Sequence, residues 1–297
     1  MDKLQPERIL CPTDFSDMAA FALQYAKVVA EGFRARLIVL YAETFEPPPY
    51  FTSDQQRDLL KSLARSRKAG ERHLSRYVDS QVGEALQAES LVVEGPPFRA
   101  ILKAVQDRQV DWIVMGTQGK GGLKKLVMGS VTARVVSETD CPVLAVRYKK
   151  GAAEPYPVSI QKVLCPVNYT DIALKALHQA VAIVERFSAR LQIVHVLESS
   201  GEETEERAMD RLCSWIPEDI RSRCQMEEMI RKGNAAEQVL EAAASSDCDM
   251  IVVGAQHKRF WDTTVIGTTT MNVIGHAPCP VLTVVSKRME RTSSGTD

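Results

Sequence analysis

The sequence predicts an α/β protein built from two tandem Rossmann-like, three-layer sandwiches, each with a five-stranded parallel sheet. The chain of 297 residues is long enough for two domains of roughly 100–200 residues each. Its halves repeat each other, and in each half short apolar runs alternate with helical patterns. Strands that are apolar on both faces and alternate with helices imply a parallel sheet covered on both sides.

The repeat is visible in long matching segments. RILCPTDFSDMAAFALQYA from Arg8 matches KVLCPVNYTDIALKALHQA from Lys162, and WIVMGTQGK from Trp112 matches MIVVGAQHK from Met250. The predicted organisation is a first domain, a Pro-rich linker, a second domain and a tail, at residues 1–148, 149–161, 162–286 and 287–297. The first half is longer, and we expect the extra residues in an exposed loop at 43–56, because three consecutive prolines do not fit inside a helix or a central strand.

Each element of the first half has its own signal. Ser16 or Asp17 is placed to cap the first helix, whose apolar residues recur at helical spacing. The predicted strands are 8–12, 36–42, 86–93, 111–116 and 142–146, and the predicted helices are 16–32, 54–80, 97–108 and 130–138. In such a sheet, ligands bind beyond the carboxyl ends of the strands, where the strand order reverses.

Composition narrows the function classes. The net charge of −1 and the lack of a basic cluster argue against nucleic acid and anionic membranes as partners. The N-terminal segment lacks a signal-peptide core and no window approaches a membrane span, so we expect a cytoplasmic protein. Seven cysteines without C-x-x-C, and five histidines without an i, i+4 pair, predict neither a disulfide framework nor a metal site.

A glycine-rich loop follows the apolar run WIVM. Gly116, Gly119 and Gly129 precede Ser130 and a predicted helix. Glycine lets backbone N–H groups approach an anion, and a helix N-terminus favours negative charge, so the loop suits a polyphosphate. Ordinary turn chemistry after a strand is the alternative. The patterns G-x-x-x-x-G-K-[ST] and G-x-G-x-x-G after the first strand are both absent.

The combined pattern resembles the universal stress protein family. It comprises Pro12-Thr13-Asp14 with Ser16 after the first strand, the glycine spacing followed by Gly-Ser-Val-Thr, and a closing Cys-Pro-Val-Leu strand. The resemblance covers nearly the whole chain, twice over. It implies a tandem member of the family whose first repeat is of the ATP-binding type. It also implies that the closing strands 142–146 and 280–284 pair with each other, so that the two domains pack as an intramolecular pseudo-dimer.

The resemblance also implies a set of binding residues. The base and sugar of ATP would contact Pro12, Thr13, Asp14 and the backbone of Ala42. The phosphates and ribose would contact Met115, Gly116, Gly119, Gly129, Ser130, Val131 and Thr132. Lys120 would neutralise a γ-phosphate, and Mg²⁺ would accompany the nucleotide. Each has an alternative interpretation: Asp14 could cap the next helix, Met115 and Val131 could belong to the core, and Lys120 could lie on a solvated face.

The second half departs from this pattern. His257 stands in the place of Gly119, Asn168 in the place of Asp14, and Arg259, Phe260 and Trp261 in the place of two glycines and a leucine. A β-carbon restricts φ and adds bulk where the backbone would approach a phosphate. We expect the second nucleotide site to be degenerate, with phosphate donation by His257 as the alternative.

Three functions are compatible with the sequence. The first is an ATP-dependent sensor or regulator in a stress response, with adenine nucleotide and an unidentified regulatory protein as partners. The second is a slow ATPase or nucleotidyl-transfer enzyme in which Asp14 helps a metal-bound phosphate. The third is a scaffold without ligand. The sequence leaves open whether two chains associate further.

Overall fold

A computed structural model describes residues 5–44, 53–83, 86–118, 128–148, 157–198, 203–260 and 263–285. For residues 53–66, 257–260 and 263–265 it describes the backbone alone.

The first repeat alternates strands and helices along the chain. Its strands are β1 (Arg8–Thr13), β2 (Arg36–Glu43), β3 (Ala88–Glu94), β4 (Trp112–Gly116) and β5 (Val143–Val146). Its helices are α1 (Asp17–Phe33), α2 (Ser53–Val82), α3 (Pro97–Asp107) and α4 (Ser130–Glu138). Ser16 caps α1, because its side chain accepts a hydrogen bond from the Ala19 N–H.

The second repeat follows the same strand order, with two helices where the first repeat has one between its second and third strands. Its sheet strands are β6 (Lys162–Val167), β7 (Arg190–Leu197), β8 (Met226–Lys232), β9 (Met250–Ala255) and β12 (Val281–Val285). Its helices are α5 (Asp171–Phe187), α6 (Glu205–Trp215), α7 (Glu218–Arg221), α8 (Ala235–Ser245) and α9 (Thr268–His276). An antiparallel hairpin, made of β10 (His257–Phe260) and β11 (Thr263–Ile266), lies between β9 and α9.

The strands of both repeats form one ten-stranded sheet in the order β3-β2-β1-β4-β5-β12-β9-β6-β7-β8. Pairing within each half is parallel, whereas β5 and β12 pair antiparallel with Leu144 opposite Leu282. The predicted pairing of the two closing strands is therefore confirmed. In the first half the strand order reverses between β1 and β4, which places a crevice at their carboxyl ends.

Helices cover both faces of the sheet, as predicted for a doubly wound fold. One buried cluster lies between the sheet and the helices α1, α2 and α5, and it includes Phe21, Val78 and Leu177. The other lies under α3, α4, α8 and α9, and includes Ile101, Val135 and Ile274. Both clusters contain residues of both repeats, so the two sandwiches share a continuous core.

The place predicted for the extra residues of the first half is largely wrong. We expected them in a loop at 43–56, but α2 already begins at Ser53 and continues for 30 residues, against 11 in α6 and 4 in α7. Most of the additional length is therefore helical, because the polar pattern after the prolines has one apolar stripe. Residues 45–52, which include the prolines, lie outside the described residues.

The cysteines are free thiols in the described structure, and Cys11, Cys141, Cys165, Cys248 and Cys279 are buried. Burial raises the pKa of the Cys11 thiol to about 12 and that of Cys165 still further. These two thiols occupy the same position in the first strand of each repeat. Both are core residues, and a protonated, buried thiol is a poor nucleophile.

No helix in the described ranges combines the length and apolar character that a membrane span requires. The same ranges contain no group of three His, Cys, Asp or Glu side chains arranged to hold a metal ion.

Candidate functional site

The predicted site residues converge on the crevice between β1 and β4. Asp14 directly follows β1, and Gly116 ends β4, the neighbouring strand. Gly129 and Ser130 lie at the start of α4, and the Gly129 N–H donates to the Thr117 carbonyl at 2.7 Å. The end of β1 and the distant segment from the end of β4 to the start of α4 therefore lie at one edge of the sheet.

Asp14 is half-buried and supports the start of α1. Its carboxylate Oδ1 accepts hydrogen bonds from both the backbone N–H and the hydroxyl of Ser16, the first at 3.0 Å. Ser16 in turn caps α1 through the Ala19 N–H at 3.2 Å. Asp14 therefore orients the cap residue and is not itself the cap.

The second repeat performs the same local task with an amide. The Asn168 Oδ1 accepts from the Thr170 hydroxyl at 2.7 Å, and Thr170 caps α5 through the Ala173 N–H. Because an uncharged acceptor suffices at this turn, the negative charge of Asp14 is not required for the helix start.

The turn that carries Asp14 is held by an aromatic cluster, which the sequence reasoning missed. Phe15 has a φ of 59°, an unfavourable left-handed conformation for an aromatic residue. Its ring packs against Tyr41, His73 and Tyr77 at centroid distances of 4.8, 4.7 and 5.1 Å. These contacts fix the turn, and burial raises the pKa of Tyr77.

The corresponding turn of the second repeat is built alike. Tyr169 has a φ of 61° and packs on His195 at 4.3 Å and on Trp215 at 5.7 Å, with the Arg211 guanidinium over its ring at 4.5 Å. An aromatic residue before Ser-Asp or Thr-Asp in both halves was the signal that could have revealed the cluster.

Gly116 has a packing role that the phosphate argument did not anticipate. A β-carbon there would lie 2.6 Å from Met18 Cγ and 3.3 Å from the Met18 carbonyl oxygen in α1. Gly254, its counterpart, would meet the Ile172 carbonyl oxygen of α5 at 2.8 Å. The glycine at or next to the end of this strand therefore lets the first helix of the repeat, α1 or α5, cross closely, in the repeat with the full glycine signature and in the repeat without it.

The first turn of α4 offers backbone donors at the crevice. Its N-cap, Gly129, has φ −62° and ψ 150°, so it is extended and not left-handed, and it makes no side-chain cap. Ser130, the first helical residue, is exposed. N–H groups of a first turn whose N-cap residue has no side chain, together with the helix dipole, suit an anion.

The side chain of Thr132 bonds to the backbone at the end of β4. It is buried, and its hydroxyl donates to the Gly116 carbonyl at 2.8 Å. Thr270 makes the corresponding bond to the Gly254 carbonyl at 3.4 Å. Thr132 therefore ties α4 to the end of β4, which positions the first turn of the helix.

The predicted apolar contacts lie on one face of the sheet. Met115 belongs to the buried cluster under α3 and α4, and Ala42 and Val131 pack against it, so the core interpretation of Met115 holds. Pro12 and Thr13 end β1, opposite Leu40 and Tyr41 of β2. Gly119 and Lys120 lie outside the described residues.

The second repeat has a hairpin in the place of the glycine loop. His257, the counterpart of Gly119, pairs with Ile266, and Phe260 pairs with Thr263. Arg259 is also in the hairpin, whereas Trp261 lies outside the described residues. The backbone that would cradle phosphate in a glycine loop is here committed to strand pairing.

Comparison with known proteins agrees with the resemblance noted in the sequence. The model of the universal stress protein family matches residues 6–147 and 223–285. A universal stress protein of Thermus aquaticus is 36% identical over 141 residues, which cover 47% of this chain and 97% of that protein. One of Methanocaldococcus jannaschii is 29% identical over 144 residues, which cover 48% of this chain and 84% of that protein.

A solved structure matches both repeats together. The crystal structure of a universal stress protein from Archaeoglobus fulgidus has a TM-score of 0.70 and 21% identity, and the match covers 93% of this chain and 97% of that one. This likeness shows the fold of the whole tandem chain.

Proposed function

Because this chain belongs to the universal stress protein family, we propose that its first repeat binds ATP and that the protein acts as a nucleotide-dependent regulator in a stress response. The observation that carries the proposal is the strand order: β1, which ends beside Asp14, and β4, which is followed by the Gly129 start of α4, are neighbours at the point where the order reverses. A carboxylate suits the hydroxyls of a ribose, and helix N–H groups suit phosphate.

The proposed pose assigns one part of the nucleotide to each side of the crevice. The adenosine lies against Pro12, Thr13, Asp14 and the backbone of Ala42. The apolar side chain of Val131 also contacts it. The phosphates lie along Gly129 and Ser130. Gly119 and Lys120 are proposed to complete the phosphate site, and Mg²⁺ bound to ATP would neutralise part of its charge.

The proposal gives the second repeat a different role. Its hairpin replaces the phosphate loop and Asn168 replaces the carboxylate, so we assign no nucleotide to it. We propose 1–148 and 162–286 as the two domains, joined through β5 and β12 as an intramolecular pseudo-dimer. Such a unit presents one occupied and one unoccupied repeat to a regulatory protein.

Asp14→Asn is expected to weaken ATP binding by about 10-fold to 100-fold, because hydrogen bonds to a charged group contribute about 1.5–3 kcal/mol. Asn168 shows that an amide preserves the turn, so the thermal midpoint should stay within about 2 °C of wild type. Calorimetric titration with ATP measures the affinity, and differential scanning calorimetry measures the midpoint.

Asn168→Asp is the matched control for this change. It adds a carboxylate to the repeat that lacks the glycine loop, and we expect the ATP affinity to remain that of wild type. Equal affinities for wild type and Asp14→Asn would contradict the assignment of the carboxylate to the ligand.

A further inference from the structure

The hairpin of the second repeat lies against the first repeat. β11 packs against α4, and Ile266 at the end of β11 is 1% exposed. Ile266 lies in the same buried cluster as Val135 and Val136 of α4. The helix whose first turn carries Ser130 is therefore held from outside its own repeat.

A polar contact joins the repeats near the same place. Arg147 follows β5 and is 9% exposed, and its Nη1 donates to the Ile274 carbonyl in the last turn of α9 at 3.3 Å. A cation at the C-terminal end of a helix is favoured by the helix dipole. The corresponding position of the second repeat is Val285, so this link runs only from the first repeat to the second.

The two contacts belong to one unit. Gly267, the N-cap of α9, directly follows Ile266, so β11 and α9 are consecutive in the chain. β11 holds α4, and α9 accepts the bond from Arg147. The β10–β11 hairpin stands at the sequence position that the glycine-rich loop has in the first repeat. It contacts α4, the helix that follows the glycine-rich loop.

We propose that Ile266 is a positioning residue for nucleotide binding in the first repeat, and that docking of the β10–β11 hairpin on α4 is thermodynamically coupled to ligand at the α4 N-terminus. This inference rests on the proposed function. A hairpin that fixes α4 reduces the cost of ordering its first turn around phosphate. By linkage, the ligand then stabilises the docked hairpin to the same extent.

The first test is the ATP affinity of Ile266→Ala. We expect a loss of about 5-fold to 10-fold by calorimetric titration, within the range typical of coupling between sites. Ile220→Ala is the matched control. Ile220 is a fully buried isoleucine in α7 of the second repeat, and it belongs to the buried cluster that contains Phe21 and Leu177, not to that of Ile266. Both changes remove the same atoms from a core, but only the first should alter affinity. Ile266→Val, a smaller change, serves if the alanine variant does not fold.

The second test uses the unmodified protein. Saturating ATP should slow amide hydrogen exchange in residues 257–266 at least 5-fold, by the same coupling, and leave β8 unchanged. Wild-type affinity in the Ile266 variants together with unchanged exchange in the hairpin would overturn the coupling while leaving nucleotide binding intact. A wild-type protein that binds no ATP would overturn both the coupling and the proposed function.

Discussion

Leu144→Ala is expected to lower the free energy of unfolding by about 3–5 kcal/mol, at the upper end of the range for a large-to-small change in a core. Leu144 is fully buried in β5, near the middle of the ten-stranded sheet, where it pairs with Val114 on one side and Leu282 on the other. The cavity would therefore open at the junction of the repeats. Urea unfolding followed by circular dichroism measures the loss, and we expect one cooperative transition.

A double-mutant cycle locates the effect at the junction. Leu144→Ala combined with Leu282→Ala should deviate from additivity by about 0.5–3 kcal/mol, because the two residues face each other across the β5–β12 pair. Leu74 is equally buried, but it lies in α2 of the first repeat. Leu74→Ala with Leu282→Ala should be additive. Additive behaviour of both pairs, or two separate unfolding transitions, would contradict a shared sheet.

Gly254→Ala is expected to lower the free energy of unfolding by about 2–3 kcal/mol, as for other overpacked sites. The added β-carbon would lie 2.8 Å from the Ile172 oxygen and 3.0 Å from the Ile172 carbonyl carbon. Both are backbone atoms, so α5 itself must move away from β9. Thermal unfolding measures the loss, and a crystal structure of the variant would show the displaced helix.

Gly275→Ala provides the comparison for a glycine without such contacts. No atom lies within 4 Å of its added β-carbon, and the residue is in α9. Alanine is favoured over glycine in a helix by about 1 kcal/mol, so this variant should be as stable as wild type or more so. A Gly254 variant that matches the Gly275 variant would show that close crossing does not explain the glycine.

The sequence predicted the elements that carry strong periodic signals. α4 was predicted at 130–138 and lies at Ser130–Glu138, because Gly-Ser and a regular apolar spacing mark its start. The β5–β12 pairing was expected from the resemblance to the universal stress protein family, and the structure confirms it. The start of α2 was predicted to within one residue. The extra residues of the first half were expected in a loop before α2, but most of them lie in the helix.

The site was predicted less completely than the fold. The doubly wound pattern placed the glycine loop with Gly116 and Gly129 at the carboxyl end of a strand, and the family resemblance singled out Asp14. The strand order puts β1 and β4, which lead to these residues, side by side. The steric role of Gly116 could not be predicted, because it depends on how closely α1 crosses β4. The contact of β11 with α4 could not be predicted either, because it joins two repeats and no local pattern in residues 257–266 indicates which element they contact.

The most direct test of the assignment is the number of nucleotides held by one chain. Native mass spectrometry of the full-length protein with excess Mg-ATP measures it without labels or substitutions. One ATP bound per chain is the predicted result, since the first repeat has the carboxylate and the open helix start and the second has an amide and a hairpin. Two nucleotides per chain, or none, would contradict it.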